Sequence, residues 1–393
     1  MRLSSKIHTF IPEPERPLAK YKNSTTKYER IAFFDDDQAK LARRRLNKWL
    51  NDWNFPDRKE LVGRLKANDD RHFDGVVWEL YLNSFLKQSG FIVKRIRHTP
   101  GQSSPDFLVR RFGQSFYLEA TSISEAAIKP SDSHWKQLLD YLEQIENSDF
   151  YFSIHPEKIT NEPPQMKKIK REILDYLESL DYVELSKLSY LEIPEQFISI
   201  KGWEIRVKAI PRSSREYDGV SIAMHGTSGS GFITDLHDLR DKIEDKRLKY
   251  KNLEHPLVLA ILENAFFGSD DKWHRIGALF GQQALLLGAN GEAKDIRKND
   301  GTWDIHLGES KVSALILQSR LNIILPKFDK GEIWLNPNGS QNEVLKHLPL
   351  DTYWLQGNEI AKRVERSSWN AIDDPNLRSK LTRFLTKLAY RKD

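Results

Sequence analysis

Two carboxylates on one short stretch, Asp106 and Glu119, are the residues of this chain best placed to do chemistry. The segments Ser104-Pro105-Asp106-Phe107-Leu108-Val109 and Ser115-Phe116-Tyr117-Leu118-Glu119-Ala120-Thr121 are rich in β-branched and aromatic residues, with Gly113-Gln114 between them as the turn. A hairpin closing near Gly113 sets Asp106 almost opposite Glu119, with Thr121 on the same face as Glu119. Two like charges a few Å apart repel unless a positive group sits between them. A divalent cation with oxygen ligands is the simplest such group. The pair therefore points to a Mg²⁺ site and, with it, phosphodiester chemistry.

Other elements must position this hairpin. Residues 72–88 read as a helix that is apolar nearly all round, from Phe73 to Leu86, and such a helix is buried. Glu79 lies in its middle, where a carboxylate needs a salt bridge, a hydrogen bond or a metal. Gly90 ends the helix, and residues 91–97 read as a strand ahead of the hairpin. Residues 124–233 read as an α/β insertion. A helix then spans about 235–251, with Leu236, Leu239, Ile243 and Tyr250 on one face and Lys246 inside that stripe. A lysine there needs an anionic partner. Lys242 and Lys249 flank the stripe, while Lys251 points elsewhere. Residues 256–262 form a continuous apolar run that fits a central strand.

These residues resemble the PD-(D/E)XK nuclease superfamily. Pro105-Asp106 stands for the PD and Glu119-Ala120-Thr121 for the (D/E)XK, with Thr121 where the lysine belongs. Lys246-Arg247-Leu248-Lys249-Tyr250 resembles the Gln-x-x-x-Tyr element of the recombination-nuclease branch, with Lys246 in place of Gln. Further blocks, among them 72–82, 203–206, 277–281, 312–316 and 335–337, look like a bacterial family of PD-(D/E)XK-like proteins. The resemblance implies an α/β (α+β) fold with a restriction-endonuclease-like αβββαβ core, a large insertion and helical N- and C-terminal extensions. The expected division is 1–68 for the N-terminal helices, 69–123 with 234–337 for the core, 124–233 for the insertion and 338–393 for a helical tail.

It also implies a mechanism. Asp106, Glu119 and the backbone carbonyl of Ala120 would ligate Mg²⁺, for which Mn²⁺ substitutes, and Glu79 would reach the cluster directly or through water. Lys246 would supply the charge that Thr121 lacks. Tyr250, Thr121, Lys249 and Lys242 would face the substrate phosphate. The expected partner is nucleic acid, DNA ahead of RNA, cut to leave a 5′-phosphate, with a homodimer or a partner subunit compatible with the fold. A role in DNA processing or in defence against mobile elements follows from the superfamily. The alternative is an inactive nuclease fold that binds nucleic acid or a protein, for which the Thr121 departure argues.

Bulk properties set the frame. The 393 residues are 39% hydrophobic, with ten Trp and nineteen Phe, enough for a sizeable core. A formal charge of +5 suits nucleic acid without demanding it. The absence of cysteine excludes disulfides and thiolate zinc sites and fits a cytoplasmic setting. No apolar run is long enough to cross a membrane. The loop Gly226–Gly231 lacks the Gly-Lys-Ser/Thr of a P-loop, and the eleven histidines show no metal spacing. His98 reads as a loop residue, and Asp304 and Glu309 as surface charges. In the N-terminal helices, Trp49 and Trp53 read as a packing stripe and Arg43-Arg44-Arg45 as a solvated face. Residues 273–287 read as a helix, and 377–392 as an amphipathic helix with a basic stripe.

Overall fold

Three apolar runs, 107–109, 257–262 and 312–317, form the centre of the protein. The computed structural model describes residues 9–364 except for 19–21, 68, 98–102, 124–130, 218, 226–234, 251–252, 264–271, 288–292, 304–310, 320, 322, 324–330, 341–342 and 358. The chain opens with helices α1 (Lys27–Phe33), α2 (Asp37–Asp52), α3 (Arg58–Leu65) and α4 (Asp70–Gln88). Strands β1 (Ile92–Arg95), β2 (Phe107–Arg111) and β3 (Gln114–Ser122) follow. Next come α5 (Ser131–Leu142), β4 (Phe150–Lys158), α6 (Met166–Glu178), α7 (Tyr182–Leu185), β5 (Glu195–Ile200), β6 (Trp203–Pro211) and β7 (Ile222–His225). Helix α8 (Asp235–Lys249) leads to β8 (Leu257–Leu262), α9 (Lys272–Phe280), β9 (Gln283–Leu287) and β10 (Ala293–Arg297). Strands β11 (Val312–Gln318), β12 (Glu332–Leu335), β13 (Asp351–Gln356) and β14 (Glu359–Arg363) complete the described chain. The protein is mixed α/β, with N-terminal helices and mixed sheets.

The main sheet has the order β1-β2-β3-β8-β11-β12-β13-β14. Its middle strands β3, β8 and β11 run parallel, and β8 and β11 are buried at every position. Strands covered on both faces read as unbroken apolar runs, which is the pattern of these two. Alternation divides the side chains. Leu118, Val258, Ala260 and Ala314 pack against α2 and α4, through residues such as Trp49 and Trp78. Leu257, Leu259, Ile261 and Leu315 pack against Leu239 and Ile243 of α8 and Leu279 of α9. The site residues of β3 therefore lie between two helical layers.

Helix α4 is fixed at both ends. The Asp69 carboxylate accepts from the Arg71 backbone N–H at 2.8 Å. At the other end Gly90 takes φ 82°, Phe91 donates to the Leu86 carbonyl and Gly90 to the Lys87 carbonyl. Those paired bonds need a left-handed residue, which glycine supplies without strain. Between the ends, Trp78 Nε1 donates 2.9 Å to the Ala260 carbonyl and ties the helix to the central strand β8.

The second sheet, β5-β6-β4-β7, packs with α5 and α6 around its own core, which includes Trp135, Phe152, Ile169 and Trp203. It lies within residues 124–233. Lys136 of α5 pairs with Asp70 of α4 at 3.3 Å.

Several sequence expectations change here. The helix expected over 273–287 stops at Phe280, and β9 begins at Gln283. Gly281 between them has φ 89°, and a Cβ on it would lie 1.9 Å from the Lys298 carbonyl, so the chain turns where only glycine fits. The tail expected to be helical from 338 instead supplies β13 and β14, which extend the sheet beyond β12. Tyr353 of β13 stacks on Trp334 of β12 at 4.3 Å, an aromatic cross-strand contact that favours a strand. Arg43 and Arg45 are not a solvated face. Arg43 donates to the Ile31 and Phe34 carbonyls and pairs with Glu13, Arg45 donates to the Ile323 carbonyl, and Arg44 alone of the three is exposed. Trp49 and Trp53 are core residues. His98, the loop 226–231, Lys251, Asp304, Glu309 and the helix read over 377–392 lie outside the described residues. Among the described residues no helix is long and apolar enough to cross a membrane.

Candidate active site

The hairpin sets the carboxylates first. Phe112 and Gly113 both have positive φ, 51° and 76°, and Arg111 pairs with Gln114 across them. This two-residue turn, one position earlier than the sequence suggested, matches strand twist and fixes the register. Phe107 pairs with Leu118, so the next position out brings Asp106 across from Glu119. Both are buried, with 7% and 4% of their surface exposed. One Asp106 oxygen, Oδ2, accepts from the Ala120 backbone N–H at 2.8 Å, locking the carboxylate to β3. Thr121 is half-buried, and strand alternation puts it on the Glu119 face.

Each carboxylate has its own cation. Lys246 Nζ reaches from α8 to form an ion pair with Glu119 Oε1, and Lys249 Nζ stands 4.0 Å from the same oxygen. Lys242, one turn back, is half-buried and is not among the cations paired with these carboxylates. Leu239, Ile243 and Tyr250 hold the buried face of α8 and its exit, while the Leu236 side chain lies outside the described residues. Burial, and then the charge of Asp106, push the Glu119 carboxyl above its ordinary range, with Lys246 pulling the other way. Tyr250 is raised well above a free phenol, by burial first and by Glu119 second, so it stays a neutral donor. Its hydroxyl donates 3.2 Å to the Ser104 carbonyl, two residues before Asp106.

On the other side stands Arg95 of β1. Its Nη1 meets Asp106 Oδ1 at 2.8 Å, its Nη2 meets Glu79 Oε2 at 2.9 Å, and its Nε meets Asp57 Oδ2 at 3.1 Å. Arg64 Nη2 takes the other Glu79 oxygen, Oε1, at 2.9 Å. Burial pushes the Glu79 carboxyl up against the pull of Arg95, and the Asp106 charge adds to the rise. Burial opposes the charge on Arg95, but Glu79, Asp106 and Asp57 together hold its guanidinium above its ordinary range. A line of alternating charge thus crosses the end of the sheet: Arg64, Glu79, Arg95 and Asp106, then Glu119 and Lys246.

Arg95, Arg64 and Asp57 join the site without belonging to any of the sequence motifs. A signal for the first was present. Phe91, Val93 and Arg95 alternate, and Phe91 and Val93 are buried, so Arg95 follows them inward. Nothing local in the sequence links Asp57 or Arg64 to it.

The donor set decides what cation would fit. Among the described residues no group of three or more His, Cys, Asp or Glu side chains gathers as metal ligands. Glu79, expected to reach a cation, has its two oxygens on two arginines instead. What does fit is the pair Asp106 and Glu119. Glu119 Oε2 is a buried carboxylate oxygen away from the Lys246 ion pair and, among the described residues, only the neutral Tyr250 hydroxyl donates to this carboxylate besides the lysines. Such an oxygen is costly to bury unless a positive group meets it. Hard divalent cations take oxygen ligands, and Mg²⁺ binds through one or two carboxylates while keeping several waters.

No protein-family model, curated protein or solved structure matches this chain.

Proposed function

We propose that this protein is a metal-dependent nuclease of the PD-(D/E)XK type that hydrolyses phosphodiester bonds, in DNA rather than RNA. One observation carries the reading: two buried carboxylates, Asp106 and Glu119, lie across a hairpin with a lysine from a separate helix on one of them. The order of elements supports it, since α4, β1, β2, β3, then α8 and β8 follow the αβββαβ sequence of that core.

Asp106, Glu119 and the Ala120 carbonyl would hold Mg²⁺, or Mn²⁺ in its place. The bound cation supplies a lowered pKa for coordinated water and neutralises charge on the phosphoryl oxygens. Lys246, placed on Glu119 from α8, orients the attacking water or shields the scissile phosphate, the part that Thr121 cannot take. Tyr250 holds the Ser104 carbonyl and so the approach to Asp106. Lys249, more exposed than Lys246, would meet a neighbouring phosphate. A place in genome defence or DNA processing goes with this reading.

The test is cleavage of supercoiled, linear and single-stranded DNA, and of RNA, with Mg²⁺ or Mn²⁺. Wild type is expected to cut DNA, and an Asp106→Ala/Glu119→Ala variant to fold without cutting. A second reading, a nuclease fold that binds nucleic acid or a protein without cutting, is favoured by one feature: Arg95 and Lys246 already neutralise the two carboxylates. Binding of DNA that is unaffected by chelator, with no product on any substrate, would select it.

A further inference from the structure

We infer that Arg95 is a positioning residue that sets the cation affinity of the Asp106–Glu119 pair, by occupying an Asp106 oxygen through which a divalent cation would bind. The inference rests on the nuclease reading in one respect, that this pair binds a divalent cation.

Asp106 has two oxygens, and both are engaged. Oδ2 is fixed by the Ala120 N–H at 2.8 Å, a bond the β3 backbone holds in place. Oδ1 meets Arg95 Nη1 at 2.8 Å. A cation that binds through Oδ1 therefore shares that oxygen with the arginine or displaces it.

Arg95 is held hard in that position. Its three donor nitrogens go to three different carboxylates, and its side chain is buried. The guanidinium lies 5.6 Å from the Trp53 ring and 5.1 Å from the Phe107 ring, both in the core. Cation–π contacts in a buried setting add to the ion pairs. Arginine also keeps its charge at any working pH, so deprotonation does not release Asp106. The same charge keeps Asp106 and Glu79 from repelling each other while no divalent cation is bound. One residue thus steadies the pair of carboxylates and competes for one of them.

Lysine at the same position keeps the charge but loses the fork, and cannot meet three carboxylates in fixed geometry. The experiment is Mn²⁺ titration by calorimetry of wild type, Arg95→Lys, and an Asp106→Asn/Glu119→Gln double variant, each checked for folding by circular dichroism. The expected result is one Mn²⁺ site in wild type, lost in the double variant, and bound at least tenfold more tightly by Arg95→Lys. A merely structural arginine predicts the opposite, since loosening the site weakens binding. Equal or weaker binding by Arg95→Lys, with the site still lost in the double variant, overturns the inference and leaves the metal site standing. No Mn²⁺ binding by any variant overturns both. Should Arg95→Lys fail to fold, Arg95→Gln combined with Glu79→Gln removes one charge of each sign from the cluster, and the same tightening is expected of it.

Discussion

Lys246 and Glu119 stand 127 positions apart in the chain and meet as one ion pair. The pair joins α8 to β3 on the face of the sheet opposite α4. Its members differ in exposure: 17% of the Lys246 side chain is open to solvent against 6% for Glu119. Breaking it from the two sides should therefore cost different amounts. Lys246→Met leaves a buried carboxylate beside Asp106, and is expected to destabilise the fold by about 3 kcal/mol. Glu119→Gln leaves an ammonium that can turn toward water, and should cost less. The double variant should recover most of the Lys246→Met loss. Urea unfolding of the four proteins in the cycle measures this coupling. A Lys246→Met loss no larger than that of Glu119→Gln would show that Glu119 is better solvated than its burial implies.

The parts of the fold legible in the sequence were those written by local pattern. The run 256–262 fits a strand covered on both faces, and β8, Leu257–Leu262, is one. Strand-favouring residues on either side of Gly113 mark the hairpin, so the Asp106–Glu119 juxtaposition is legible in the sequence. Helical spacing put Lys246 in the apolar stripe of α8, and that stripe points at Glu119. What escaped was mostly set by tertiary contact. Alternation with Phe91 and Val93 turns Arg95 inward, but nothing local shows that it gathers Asp57, Glu79 and Asp106 from three separate segments. The end of α9 depends on how closely the Lys298 carbonyl approaches Gly281. The strands β13 and β14 pair onto the edge that β12 offers; Thr352, Tyr353 and Trp354 are strand-favouring residues closed by Gly357, a local signal that the expectation of a helical tail passed over.

Glu79 serves to test whether its carboxylate is a ligand or a brace. Arg64 and Arg95 hold its two oxygens, both at 2.9 Å. Glu79→Gln keeps the shape and one acceptor but removes the charge. Hydrogen bonds to charged groups contribute about 1.5–3 kcal/mol, so a loss of about that size is expected in thermal or urea unfolding. Mn²⁺ binding should persist with the same stoichiometry. Complete loss of Mn²⁺ from a folded Glu79→Gln protein would make Glu79 a ligand after all.

Asp69 gives a prediction about pH. Its hydrogen bond from Arg71 pulls its carboxyl down to about 2 from an ordinary 3.8, while it caps α4. A carboxyl depressed by folding adds stability that is fully present above its unfolded pKa, and that is lost as pH falls through the folded one. Asp69→Ala should therefore cost about 1 kcal/mol near neutrality. The gap between the two proteins should narrow as pH drops from about 4 toward 2. Urea midpoints at pH 7, 5, 4 and 3 measure it. A gap that stays constant to pH 3 would mean that the cap, rather than the charge, carries the effect.

Thr121 offers the sharpest test of the lysine. It lies two residues beyond Glu119 on the same face of β3, so the two Cα atoms are about 6–7 Å apart along the strand. A lysine side chain at 121 has the reach to put its ammonium beside Glu119 from the strand instead of from the helix. If Lys246 is the charge that assists hydrolysis, Lys246→Met should lower the cleavage rate at least 100-fold, the scale of a lost electrostatic or proton-transfer partner. Thr121→Lys added to it should restore at least tenfold, because the chemistry needs a cation near Glu119 and the phosphate rather than a particular element to carry it. The same added lysine should also recover part of the stability lost with Lys246, since Glu119 regains a partner. Stability recovered without activity would separate the two roles: it would assign Lys246 to holding Glu119 in place and remove it from the chemistry.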